Sequence, residues 1–159
     1  MKRFSYLLLL IASAFLFVEC SSSKRALQHG DYYNASINAI KTLRSNPKNK
    51  RSIQVLEQAY PLAKENALRK IQNAFDANLA GKYSIAAEEY LALNSIADAI
   101  YTCPKAMEIF PQPEQFSKEL RDILPLAAEE SYNIGERLLQ HNTIRDAREA
   151  YFNFLKAEK

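Results

Sequence analysis

Few side chains in this 159-residue sequence could carry covalent or metal chemistry: two cysteines, Cys20 and Cys103, and two histidines, His29 and His141. A thiolate nucleophile or metal ligand needs an activating group or further ligands close by. The two cysteines are far apart and form no CxxC, so their spacing makes neither a zinc site nor a redox pair. Each histidine stands where a helix is expected to end, and there it can meet the helix dipole, an effect of about 0.3–1 kcal/mol. Capping is the expected role, since a catalytic or metal-binding pair would require both ends to meet in space. No HExxH, GxSxG, phosphate loop or dinucleotide glycine pattern is present. Glu88/Glu89 and Glu129/Glu130 come in pairs, but adjacent helical residues do not face one another, so they are expected on a solvated face. Asn34-Ala35-Ser36 fits a glycosylation sequon inside an expected helix. The chemistry points away from an enzyme, and no cofactor or metal is expected.

The elements that position these residues read as helices. Gly numbers 3 and Pro 6, Val is nearly absent, and no clean period-2 apolar run appears. Ala, Leu, Glu, Lys and Gln, which lose little rotamer freedom in a helix, are common. Ser21–His29 is expected as a short helix closed by Gly30, with Asp31 capping the next, which carries Ala35, Ile40 and Leu43 and stops at Asn46–Pro47. From Ser52 to Leu79 apolar residues recur at steps of three and four. Pro61 interrupts that stretch and either kinks it or starts a new helix. Gly81 is expected to end it. Tyr83 to Tyr101 follows, with Ala86, Ala87, Tyr90, Leu91, Ile96 and Ile100 as apolar positions. Thr102 to Pro113, with three prolines, is expected as a loop. A helix resumes near Glu114, passes Pro125 and runs to Asn142. Thr143 caps a last helix carrying Ile144, Ala147, Tyr151 and Leu155.

A hydrophobic fraction of 48% with 25% charged residues is ordinary for one folded domain. The formal charge of +3 is too diffuse for a nucleic-acid footprint, so no nucleic acid is expected as partner. Nine Tyr and eight Phe, mostly at helical spacing, are expected in core packing rather than in a stacking groove.

Lys2 and Arg3 precede an apolar run from Leu7 to Val18, broken only by Ser13. A positive start and about a dozen apolar residues is the layout of a secretory signal, short for a membrane span of roughly 20. Cys20 ends the run, followed by Ser21, Ser22 and Ser23. Residues 1–23 resemble a bacterial lipoprotein signal, although Glu19 stands where the family has a small residue. The resemblance implies a signal peptide over 1–19, acylation of Cys20 (a palmitate-type lipid), a tether over 20–23, and a chain anchored in the bacterial cell envelope, facing the periplasm. An uncleaved anchor and an ordinary signal followed by a chance cysteine are the alternatives. Were Cys20 acylated, Cys103 could have no intramolecular partner; beside Pro104 it reads as inert, with an intermolecular bridge as the other option.

The mature part repeats itself. Ala86-Ala87-Glu88-Glu89-Tyr90-Leu91 aligns with Ala147-Arg148-Glu149-Ala150-Tyr151-Phe152, and Pro61-Leu62-Ala63-Lys64-Glu65 with Pro125-Leu126-Ala127-Ala128-Glu129. Gly30-Asp31-Tyr32 with Ala35, Ala39 and Pro47, then Ile53, Leu56 and Tyr60, resemble the tetratricopeptide repeat (TPR) family. Gly81, Tyr83, Ala86 and Tyr90 do so again, as do Ser131, Ile134, Gly135 and Leu138 with Ala147 and Tyr151. Glu57 and Phe154 are large where the family has small residues. The resemblance implies an all-α fold of stacked antiparallel hairpins, a TPR-like α-solenoid over 24–159, shortened or capped by another element at Lys159. It further implies a protein–protein interaction scaffold whose first helices line a concave surface for a protein or peptide partner in the envelope. Gln54, Gln58, Glu129, Tyr132 and Glu136 are the partner-binding residues that it implies. The alternative is a structural subunit packed permanently in an envelope complex.

Overall fold

The computed structural model describes residues 22–141 and 143–158; the leader, Cys20 and Asn142 lie outside them. The described chain is all-helical, with no strand: α1 (Ser22–Gln28), α2 (Tyr32–Ser45), α3 (Lys50–Asp76), α4 (Lys82–Tyr101), α5 (Pro104–Ile109), α6 (Ser117–Leu139) and α7 (Ile144–Glu158). Two compact units divide it. The first takes in residues up to Ala63 together with Ala99–Pro113, and the second Lys64–Asp98 together with Glu114–Lys159.

Helix ends follow local chemistry. α1 closes with Gly30 at φ +76°, the Asp31 amide reaching back to the Ala26 carbonyl and the Gly30 amide to that of Leu27. This is the paired bonding of a left-handed helix stop, which glycine adopts without strain. Asp31 then caps α2, its Oδ1 accepting from the Asn34 amide at 3.1 Å. α3 begins two residues before Ser52, because Asn49 Oδ1 accepts from the Ser52 amide and caps it. Its stop lies at Asn78 rather than Gly81: Asn78 has φ +47°, and the Leu79 and Asn78 amides bond the Ala74 and Phe75 carbonyls. Asn tolerates this conformation through its short polar side chain. Gly81, at φ +85°, serves the turn into α4.

Pro61 starts no new helix; both Pro61 and Pro125 lie inside continuous helices. Both are exposed, as are Glu57 and Arg121 four residues earlier, so water can serve the carbonyls whose helical donors the prolines remove. The aligned segments share an environment: Leu62 and Leu126 are exposed, Ala63 and Ala127 buried. Thr102–Pro113 is not wholly a loop, since it holds α5. Pro104 occupies the first turn of α5, where its missing amide would have no helical partner. α6 starts at Ser117, three residues later than expected.

In the first unit Ala35, Ala39, Ile40 and Leu43 of α2 and Val55, Leu56, Ala59 and Tyr60 of α3 are buried. Ile100, Cys103 and Ala106 are buried there too, and Cys103 Sγ lies 3.9 Å from the Ile40 carbonyl. Alanines at these positions let helix backbones approach closely. Tyr60 meets Phe110 edge-on at 4.9 Å. Arg44 donates to the Ala99 carbonyl and to Thr102 Oγ1 (2.6 Å), serving the last turn of α4.

In the second unit Ala67, Leu93 and Phe116 form a core against which Tyr90 packs, its ring stacked on Phe116 at 5.4 Å. Ala86, Ala87, Ile96 and Ala97 complete the buried face of α4, while Leu91 is exposed. α6 packs on α7 through Gly135, where an added Cβ would stand 2.7 Å from Cε1 of Phe154. The large Phe154 is thus matched by a missing side chain across the hairpin. Thr143 caps α7, accepting from the Asp146 amide at 3.0 Å and donating to Asp146 Oδ2. Of the expected apolar positions of α7, Leu155 is half-buried, but Ala147 is exposed and Ile144 and Tyr151 are 93% and 59% exposed, while Ala150 is buried instead. No helix among the described residues is long and apolar enough to cross a membrane.

Candidate functional site

Two antiparallel helices of the second unit, α4 and α6, cap each other. At one end the Glu130 carboxylate on α6 accepts from the Gly81 and Tyr83 amides at 3.0 Å and the Ser84 amide at 3.3 Å, closing the amino terminus of α4. At the other, Asn94 Oδ1 on α4 accepts from the Phe116 amide at 2.7 Å, where α6 begins without a capping side chain of its own. An anion on free helix amides also meets the positive end of the dipole. Ser84 and Ser131 hydroxyls pair at 3.0 Å beside the Glu130 contact. Glu130 is therefore no part of a solvated face, contrary to the pairing read from sequence. Glu88 and Glu89 also reach across helices, to Lys156 at 3.2 Å and Lys70 at 2.6 Å.

This reciprocal capping fixes a cleft of about 690 Å³ beside the start of α4, lined by Tyr83, Leu126, Glu129, Asn133, Glu136 and Gln140, with Lys82, Glu130 and Arg137 also on its walls. Positions 129, 133, 136 and 140 recur at steps of four and three and so share one face of α6. The cations are held: Lys82 Nζ donates to Asn78 Oδ1 at 2.7 Å and sits 5.2 Å from the Tyr83 ring centroid, while Arg137 Nε donates to the Asn133 carbonyl. The Glu130 charge is spent on the α4 amides. The Glu129 carboxylate and the Asn133 and Gln140 amides also line the cleft, as does the Glu136 carboxylate, which is hydrogen-bonded to the Tyr132 phenol. Such a row suits backbone amides and cationic side chains of a peptide.

Of the five residues named from sequence, Glu129 and Glu136 line this cleft. Tyr132 stands on α6 outside the lining, half-exposed, its ring 5.5 Å from that of Phe154. A hydrogen bond to Glu136, and that carboxylate's charge, hold the Tyr132 phenol above its ordinary pKa. Gln54 and Gln58 are exposed on α3, one turn apart, in the first unit. Asn133 and Gln140 were missed, although the same three- and four-residue steps from Glu129 lead to them. Tyr83 could not be found that way, because the tertiary pairing of α4 with α6 brings it there.

A second, apolar cleft of about 380 Å³ is lined by Ala87, Leu91, Leu124, Ala127 and Ala128, with the Glu88–Lys156 pair at its edge. Cys103, fully buried, opens into neither. Among the described residues no group of three or more His, Cys, Asp or Glu side chains is placed to hold a metal, and no buried side-chain polar atom lacks a partner. No family model matches the chain, and no curated protein or solved structure does either.

Proposed function

We propose that this chain is an exported, lipid-anchored interaction scaffold of the bacterial cell envelope, a TPR-like stack of helical hairpins that holds a segment of a partner protein in the α4–α6 cleft. The observation that carries this reading is the row Glu129, Asn133, Glu136 and Gln140 along one wall of that cleft. Those groups are placed to meet a peptide backbone, and Tyr83 and Leu126 supply apolar area beside them. The signal-like residues 1–19 and Cys20 supply export and anchorage; two or more acyl chains would hold the chain on a membrane, at about 0.8 kcal/mol per buried methylene.

The test uses the full chain expressed in its own envelope. Partners are captured with the wild type, with Glu129→Ala/Glu136→Ala, with Gln54→Ala/Gln58→Ala, and with Cys20→Ser. The cleft variant is expected to lose a partner that the wild type captures reproducibly, and Cys20→Ser to move the chain out of the membrane fraction. An unchanged partner set for both double variants would remove the binding site. Retention of the Cys20→Ser chain in the membrane would remove the lipid anchor. A partner released only by denaturant would favour the rival reading, a permanent structural subunit.

A further inference from the structure

α7 is apolar on two sides. One side packs on α6 through Phe154, and Ala150 on that side is buried. The other carries Ile144, Arg148, Tyr151, Leu155 and Glu158, at steps of four, three, four and three, the seam of a helix that pairs with another helix. Ile144 and Tyr151 are 93% and 59% exposed, Arg148 and Glu158 are exposed, Leu155 is half-buried, and neither charge forms an ion pair among the described residues.

We propose that this seam pairs with its own copy in a second chain, antiparallel, about a two-fold axis passing beside position 153. The arithmetic of that register is self-complementary. Tyr151 of one copy meets Leu155 of the other, and Arg148 meets Glu158, each pairing occurring twice. The aromatic–aliphatic layers lie at the centre and the opposite charges at the two ends, where they remain partly hydrated and cost little to pair. A register shifted to set Ile144 against Leu155 buries more apolar surface. It also sets Arg148 of one copy within one turn of Arg148 of the other beside the axis and moves Glu158 opposite position 141, out of reach of both, and like charges so placed disfavour it. A single helix pair falls below the area of a standard interface, so the dimer is an exchanging one. The inference stands on α7 alone and is independent of the cleft reading.

The experiment is sedimentation equilibrium of the full chain in density-matched detergent, over a concentration range reaching about 100 μM. The wild type is expected to show a reversible monomer–dimer equilibrium. Arg148→Glu and Glu158→Arg are each expected to weaken it about tenfold, the double exchange to restore it, and Tyr151→Arg to abolish it. Circular dichroism of each variant confirms that helix content is unchanged. A monomeric wild type overturns the proposal. So does a dimer indifferent to Tyr151→Arg, as one held by the apolar leader would be. A dimer weakened by Arg148→Glu but not by Glu158→Arg, or not restored by the double exchange, overturns the register and with it the pairing described.

Discussion

Replacing Gly135 by alanine sets two effects of similar size against each other, and the surrounding geometry decides the sign. Glycine in the middle of a helix is worse than alanine by about 1 kcal/mol, so on propensity alone the substitution stabilises α6. Its new Cβ, however, would lie 2.7, 2.9 and 3.0 Å from three atoms of the Phe154 ring, against about 3.5–4 Å at optimal carbon contact. The ring cannot simply swing aside, because Tyr132 lies against it at 5.5 Å. Overpacking of this kind costs about 1–3 kcal/mol, and Phe154 is half-buried, which favours the middle of that range. The net expectation for Gly135→Ala is a loss of about 1 kcal/mol. In a Phe154→Ala chain the obstacle is gone, and the same substitution should gain about 1 kcal/mol, a coupling near 2 kcal/mol. Urea unfolding followed by circular dichroism at 222 nm measures all four chains. If Gly135→Ala stabilises the Phe154 chain as well, the α6–α7 contact described here is wrong.

Four further outcomes are expected. Glu130→Ala strips the shared cap from three amides and should cost about 2–3 kcal/mol, with hydrogen exchange quickening at Gly81, Tyr83 and Ser84 before the rest of α4. Asp31→Ala should cost about 1 kcal/mol and fray the start of α2, read by the same two measurements. Burial, and secondarily the Glu119 charge, hold the Tyr90 phenol above its ordinary value of 10.0 in the folded chain. The folded state therefore keeps that proton longer than the unfolded state, and stability is full below pH 10 and falls as pH rises through the folded pKa; Tyr90→Phe should flatten that fall in urea titrations at pH 9 to 11. In a Cys20→Ser chain, Cys103 should stay closed to a thiol reagent until the first unit opens, so that labelling is slower than in the unfolded chain by the opening equilibrium and quickens with urea.

How much of this was legible in the sequence varied with how local the determining contact is. Asp31, Gly30 and Thr143 act within three or four residues of themselves, and they terminate helices where their types say they should. Pro104 misled for the opposite reason. Proline ends one helix and begins another with equal ease, and only the extended backbone at Cys103 before it shows which. Gly81 drew attention from Asn78, which takes the same left-handed backbone three residues earlier. Glu130 was unreadable because its three donors lie 46 to 49 residues away, on a helix that only tertiary pairing brings near. Leu91 and Leu93 are both apolar on α4, and a spacing rule cannot choose between them without knowing where Ala67 and Phe116 sit. On α7 apolar residues line both sides, so periodicity found a face without telling which one packs on α6. In the candidate site the row on α6 could be read as steps along one helix, whereas the wall supplied by Tyr83 could not.

The central claim is that the α4–α6 cleft receives a segment of another protein, and site-specific photocrosslinking in intact cells tests it most directly. A photoreactive residue at Leu126, on the cleft wall beside the polar row, is compared with the same residue at Lys41, exposed on α2 of the first unit. A discrete crosslinked product from position 126, absent from position 41 and lost on Glu129→Ala, is the predicted result. No product from position 126, or the same product from both positions, would contradict it.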